Sequence, residues 1–248
     1  MHNYLCLLLF TYFMDLMAPS VAIASMPERA VVERDAAAGV AKDIAVPFSP
    51  AEHLKGRTCA DGRDAATFRG EILEFWGSME CRYCGIREVI KAQQAHPEWC
   101  IVVRHRPANT YGESMKKALA YEALRHFSQT AANNFWDAVV PTSDLLPPPY
   151  AASLLRMSAE AAVPPDALAE ILEGEATQTV QKDMEQGQDI PSTPTFVLGG
   201  IRFPSCDFSA DQLAPALELA KKARSGDAAA QREIIQVITR GRMNEAML

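Results

Sequence analysis

The strand-forming segments of this chain fall in two separate stretches, near 71–103 and near 195–203, with a long helical region between them. Glu71-Ile72-Leu73-Glu74-Phe75-Trp76 has the aromatic and branched character of a strand. Ile101-Val102-Val103 is a continuous β-branched run, which suits a buried central strand. Between them lie a loop holding Cys81-Arg82-Tyr83-Cys84 and a helix whose apolar positions include Ile86, Val89 and Ile90, closed by Pro97. Helical patterns follow over 114–126, 133–140, 151–162, 165–173 and 177–186, interrupted at Pro141 and at Pro147-Pro148-Pro149. Strands return at 195–198 and 201–203, joined by Gly199-Gly200, which supplies the positive φ angles of a tight hairpin turn. An amphipathic helix over 211–223 closes the pattern. A further helix over 228–243 carries Ile234, Ile235, Val237 and Ile238, expected to pack on the domain or on a partner. The order β-α-β, helices, β-β-α predicts an α/β fold in which a helical block interrupts the two halves of one sheet.

The 248 residues suffice for one such domain with an insertion and tails, and a hydrophobic content of 48% supports a full core. The 31 acidic and 24 basic side chains leave a formal charge of −7, which repels phosphate backbones and makes nucleic acid a poor candidate partner. Residues 4–24 are mostly apolar, with Asp15 as their charge, and end in Ala22-Ile23-Ala24, a small-x-small site that a signal peptidase could cut before Ser25. The flank before them holds His2 and no Lys or Arg, so an uncleaved membrane anchor stands as the alternative to a cleaved signal. Cys6 is read as packing within this segment. Residues 25–55 mix Pro, Ala and charges without a period and read as a linker or extension. The expected organisation is therefore 1–24 signal or anchor, 25–55 linker, 56–110 with 188–223 the sheet domain, 111–187 the helical insertion, and 224–248 a C-terminal extension.

Cys81 and Cys84, two residues apart at the expected start of a helix, can close a small disulfide ring. The first sulfur would face unpaired helix N–H groups, which favour a thiolate over a thiol. Arg82 adds positive charge and Glu80 opposes it. A stabilised thiolate means a stabilised reduced form, hence an oxidising disulfide. Half a zinc site and an inert structural staple are the competing readings, but zinc needs further ligands, there is no second C-x-x-C, and the five histidines show no metal spacing. No phosphate-binding glycine loop appears, so neither an organic cofactor nor a metal is expected. More than a hundred residues on, Ser192-Thr193-Pro194-Thr195-Phe196-Val197-Leu198 places a proline at a strand start, which suits a cis peptide bond that bares the preceding backbone for an extended peptide.

Taken in order, Ile72–Trp76, Cys81-Arg82-Tyr83-Cys84, Arg104-His105-Arg106-Pro107, the helical insertion, Thr193-Pro194-Thr195-Phe196 and the Gly-Gly hairpin resemble the DsbA-type thioredoxin family over about 67–223. The resemblance implies a thioredoxin fold with an inserted helical domain, located in the periplasm or anchored on the membrane facing it. It implies a thiol–disulfide oxidoreductase with Cys81 as the substrate-bonding nucleophile and Cys84 as its buried partner. Pro194 would be cis beside them, Thr193 would shape the substrate groove, and Arg82 and Tyr83 would face substrate. Glu74 matches a buried carboxylate beneath the disulfide that can assist proton transfer; a solvated charge at a strand end is the alternative for it. The implied partners are cysteine-containing exported proteins and a membrane redox protein that recycles the disulfide. The loop from Phe75 to Cys81 is one residue longer than the family's usual spacing, and Arg82-Tyr83 is not the Pro-His pair of its strongest oxidases. Oxidase, reductase and isomerase directions therefore all stay open, as does a peptide-binding chaperone role.

Three cysteines remain. Cys100 opens the strand at 101–103 and is expected to be a buried, inert thiol. Cys59 and Cys206 sit in polar surroundings and are the candidates for a second disulfide, with free thiols as the alternative.

Overall fold

The computed structural model describes residues 51–108, 112–141 and 149–246. The chain divides into two units, Met1–Ala38 and Gly39–Leu248, and all described residues belong to the second. The expected signal or anchor, most of the linker and Pro147-Pro148 lie outside the described residues.

Strand β1 (Glu71–Gly77) is followed by helix α1 (Arg87–Ala95) and strand β2 (Trp99–His105), and β1 and β2 pair in parallel from Glu71 opposite Trp99 to Gly77 opposite His105. Strand β3 (Thr195–Leu198) pairs antiparallel with β1, and β4 (Ile201–Pro204) antiparallel with β3, giving the order β2-β1-β3-β4. The hairpin forms at Gly199 and Gly200, with φ of 53° and 80°. Left-handed values at both central residues match the right-handed twist of the flanking strands.

The two faces of β1 follow its period of two. Leu73 and Phe75 join Ile101, Val103, Val89 of α1 and Leu217 of the helix after β4 in the main apolar core. Ile72 packs on the other face with Val102, Cys100, Cys59 and Leu54.

Contrary to the reading of 101–103 as a central strand, β2 ends the strand order. It is nevertheless buried along its whole length. Its outer side is covered by the segment before β1. Cys59 forms an antiparallel bridge with Val102, and the Ala60 N–H donates to the Ile101 carbonyl at 2.9 Å. Cys59 is disulfide-bonded to Cys100, with Cα atoms 4.9 Å apart. This corrects both cysteine expectations. Cys100 is no free thiol, and the partner of Cys59 is the strand it runs along, while Cys206 is a buried thiol just past β4. A β-branched neighbourhood signals burial, and burial suits a core disulfide as well as an inert thiol.

The insertion comprises α2 (Glu113–Phe127), α3 (Gln129–Val139), α4 (Tyr150–Glu160), α5 (Pro165–Glu173) and α6 (Glu175–Gln186). Helix α3 starts earlier than its apolar pattern predicts because Ser128 caps it, accepting the Ala131 N–H at 3.2 Å. Pro165 takes the first position of α5, where its missing N–H costs nothing. After β4, α7 (Ala210–Arg224) opens on a Ser209–Gln212 capping box, and α8 (Ala228–Ala246) packs on α7 and β4 with Ile234 and Ile238 buried. The C-terminal helix thus packs beside β4, while the disulfide-tethered segment runs along the outer side of β2.

Candidate active site

Strand β1 ends at Gly77, and the chain turns through Ser78–Cys84 before α1 begins. The Cys81 N–H donates to the Ser78 carbonyl and the Cys84 N–H to the Cys81 carbonyl, each at 3.0 Å. Both cysteines are free thiols; Cys81 is partly exposed and Cys84 fully buried. The expectation that Cys81 opens the helix is corrected: α1 starts at Arg87. The Cys84 carbonyl accepts the indole Nε1–H of Trp136 on α3 at 2.7 Å, and the Ile86 carbonyl takes the first turn's bond from the Ile90 N–H. The carbonyl that would have extended α1 backwards is thus engaged by a side chain of the insertion.

The two sulfurs are driven to opposite ionisation states. Cys81 is lowered from the ordinary 9.0 to about 7, chiefly by a hydrogen bond from the Cys84 thiol; partial burial opposes this, and the Tyr83 and Cys84 N–H groups and the Thr193 side chain add to it. Cys84 is pushed well above 9.0, first by burial and then by its neighbour Cys81. The groups that stabilise the Cys81 thiolate are therefore the Cys84 thiol, two turn amides and the Thr193 side chain. The pair holds one proton on the buried sulfur and leaves the exposed one free to ionise.

The antiparallel register of Trp76 with Thr195 brings the residues before β3 to the end of β1 where this turn starts. The Thr193–Pro194 peptide is cis, and the Cys81 Sγ–H donates to the Thr193 carbonyl oxygen at 3.4 Å. Pro194 is buried beside it and Thr193 is half-buried. Arg82 and Tyr83, the two residues between the cysteines, are exposed. The Arg82 guanidinium donates to the Tyr83 hydroxyl at 2.5 Å and lies over its ring, 4.8 Å from the centroid. Cys81, Cys84, Thr193, Pro194, Arg82 and Tyr83 therefore converge at one end of the sheet.

Glu74 does not join them. It alternates with Leu73 and Phe75, so it points to the sheet face opposite the core that contains Cys84. It is buried there, not solvated: its carboxylate accepts from Trp76 Nε1 at 2.9 Å and Arg104 at 3.2 Å. Arg104 continues to Asp183 of α6 at 3.0 Å, and Asp183 also accepts the His105 N–H at 2.9 Å and pairs with Arg57. Arg57 in turn meets Glu122 of α2 at 3.0 Å, and Glu122 binds Arg125 at 2.6 Å and His105 Nε2 at 2.7 Å. This network joins the N-terminal segment, both parallel strands and two helices of the insertion. Among the described residues, no group of three or more His, Cys, Asp or Glu is placed to hold a metal ion, and no helix is long and apolar enough to cross a membrane.

Sequence reasoning missed Trp136 and, at the same turn, Lys117, which bonds Glu80 at 2.8 Å. They lie 52 and 37 residues from their partners, in helices whose patterns carry no mark of the contact.

The fold and the turn define a thioredoxin fold with a helical insertion, and solved structures share it. An oxidised BdbD from Bacillus subtilis superposes with a TM-score of 0.54 at 18% identity, covering 73% of this chain and 99% of its own. A thioredoxin-like oxidoreductase from Silicibacter pomeroyi gives 0.53 at 22% identity, covering 70% and 99%. The thiol-disulfide exchange protein alpha-DsbA2 from Wolbachia pipientis gives 0.50 at 14% identity, covering 78% and 98%. No family model and no curated relative matches the sequence.

Proposed function

We propose that the chain is a protein thiol–disulfide oxidoreductase working through Cys81 and Cys84. The observation that carries this reading is the pairing of a partly exposed, readily ionised Cys81 beside the Thr193 carbonyl with a buried, protonated Cys84. In the oxidising direction the protein starts with a Cys81–Cys84 disulfide. A substrate thiolate attacks Cys81 Sγ, the S–S bond breaks, and Cys84 leaves with the electron pair and takes a proton. A second substrate thiolate then attacks the substrate sulfur of the mixed disulfide, expelling the Cys81 thiolate. Two electrons pass from the substrate dithiol to the protein. The low Cys81 value makes it a good leaving group in this second step.

Two of the structural neighbours are an oxidoreductase and a thiol-disulfide exchange protein, which supports the same chemistry here. The substrates we assign are cysteine-containing exported proteins, with a membrane redox protein recycling Cys81 and Cys84. A periplasmic location, by way of a signal or anchor in 1–24, is supported by the buried Cys59–Cys100 disulfide, which suits an oxidising compartment. Cys81→Ser should abolish disulfide transfer to a reduced peptide; full activity in that variant refutes the reading.

One observation favours a second direction. A Cys81 value of about 7 stands closer to the nucleophile of thioredoxin, also about 7, than to that of DsbA at about 3.5. Reduction or isomerisation is the runner-up on that ground. Equilibration of the pair against glutathione decides: a potential near about −270 mV places it with thioredoxin, and one near about −120 mV with the strong oxidants.

A further inference from the structure

We propose that Lys117, reaching out of the helical insertion, is a positioning residue for the redox turn: it neutralises Glu80 and fixes the segment that presents Cys81. This deepens the assignment of Cys81 as the nucleophile and rests on it.

Three observations carry it. Glu80 is the residue immediately before Cys81, and an unpaired carboxylate there would oppose a thiolate. The Lys117 ammonium pairs with it at 2.8 Å. The two groups are unequally placed, with side-chain exposures of 7% for Lys117 and 41% for Glu80. Withdrawing an ammonium from water is unfavourable, so an apolar side chain would be the cheaper filler for this face of α2. The helix accepts that cost at the point where its charge meets the residue beside the nucleophile. Thirdly, the same face of α2 holds the turn again. Ser114 Oγ lies 3.3 Å from Ser78 Oγ and accepts the Ala108 N–H at 3.1 Å, while Ser78 Oγ accepts the Glu80 N–H at 3.3 Å. The insertion therefore grips the chain at Ser78 and Glu80, two of the three positions leading into Cys81.

The charged and titratable groups around the turn, besides Cys81 itself, are Glu80, Arg82, Tyr83 and Cys84 on the turn, Lys117 on α2, and His105 and Arg106 at the end of β2. All but the mutated ones stay unchanged in the test.

The test is the pH profile of Cys81 alkylation by iodoacetamide in the full-length reduced protein, with the modified residue identified by mass spectrometry. Lys117→Met strands the Glu80 charge, and the midpoint should rise by about half a unit. Glu80→Gln strands the ammonium, and the midpoint should fall by about half a unit. The double variant should return near the parent value, as should Lys117→Arg. Shifts of the same sign in both single variants, or none, overturn the proposal. If Lys117→Met does not fold, the fall in Glu80→Gln and the rescue by Lys117→Arg still decide it. Alkylation at Cys84 in place of Cys81, or an ordinary thiol midpoint in the parent, refutes the nucleophile assignment instead.

Discussion

The indole Nε1 of Trp136 donates to the carbonyl oxygen of Cys84 at 2.7 Å, across 52 residues of sequence. Both residues are fully buried, so this bond has no water to replace it. Trp136→Phe keeps an aromatic ring, though a smaller one, against Phe75 and Tyr121 but leaves a buried carbonyl unpaired. The loss should be about 1–3 kcal/mol in denaturant unfolding. The alkylation rate of Cys81 should change with it, because the Cys84 turn loses its tether; an unchanged midpoint and unchanged rate would show that the bond is incidental.

The stability of the reduced protein should pass through a maximum in mildly alkaline solution. Cys81 ionises at about 7 when folded and near the ordinary 9.0 when unfolded. Between these values the unfolded chain holds one proton more, so stability rises with pH. Above 9.0 the unfolded chain ionises both thiols while the native state keeps Cys84 protonated, so stability falls again. The oxidised protein has neither thiol, and the difference between the two unfolding curves measured across pH isolates the effect. A difference independent of pH would contradict the opposed ionisation of the pair.

The Cys59–Cys100 disulfide is expected to be structural and not part of the redox cycle. Both residues are fully buried and close a segment 41 residues long. In the chain-entropy model a loop of that size is worth up to about 4 kcal/mol. The Cys59→Ser/Cys100→Ser variant should lose roughly 2–4 kcal/mol while Cys81 keeps its alkylation midpoint. Mild reductant followed by mass spectrometry should find Cys81 and Cys84 labelled before Cys59 and Cys100.

Glu122 is the acid-sensitive point of the buried network. Burial pushes its carboxyl up, but Arg57, Arg125 and His105 together hold it well below the usual carboxylate range of 4.5. A depressed folded value gives stability that is present above 4.5 and is lost as pH falls below it. Glu122→Gln should cost about 3–5 kcal/mol near neutrality, since it strands buried cations, and should flatten the acid limb of the stability curve. An acid limb identical to the parent's would place the sensitivity elsewhere.

Much of the architecture is legible in the order of residues. The strand at β1, the Gly199-Gly200 turn and the helix at α7 each carry local chemistry that works in isolation: alternation, positive φ at glycine, a capping box. The active-site pair is equally plain, since Cys81 and Cys84 are separated by two residues. Local pattern puts Glu74 on its strand and leaves burial as one of two outcomes. It does not tell which side of the sheet Glu74 takes, because the face of a strand residue depends on what packs there. The partner of Cys59 is illegible for a related reason. The polarity of its neighbours points to Cys206, whereas the pairing follows from the path of the N-terminal segment along β2.

By itself, the sequence determined the kinds of elements, their succession and the two sulfurs able to do chemistry, because those depend on contacts within a few positions. The tertiary structure alone decided which groups surround those sulfurs. Trp136, Lys117 and the Thr193 carbonyl reach the turn only after β3 pairs with β1 and the insertion folds against the sheet. The ionisation of Cys81 belongs to that second level, because burial and hydrogen bonds from distant residues shift a thiol by amounts that no local pattern encodes.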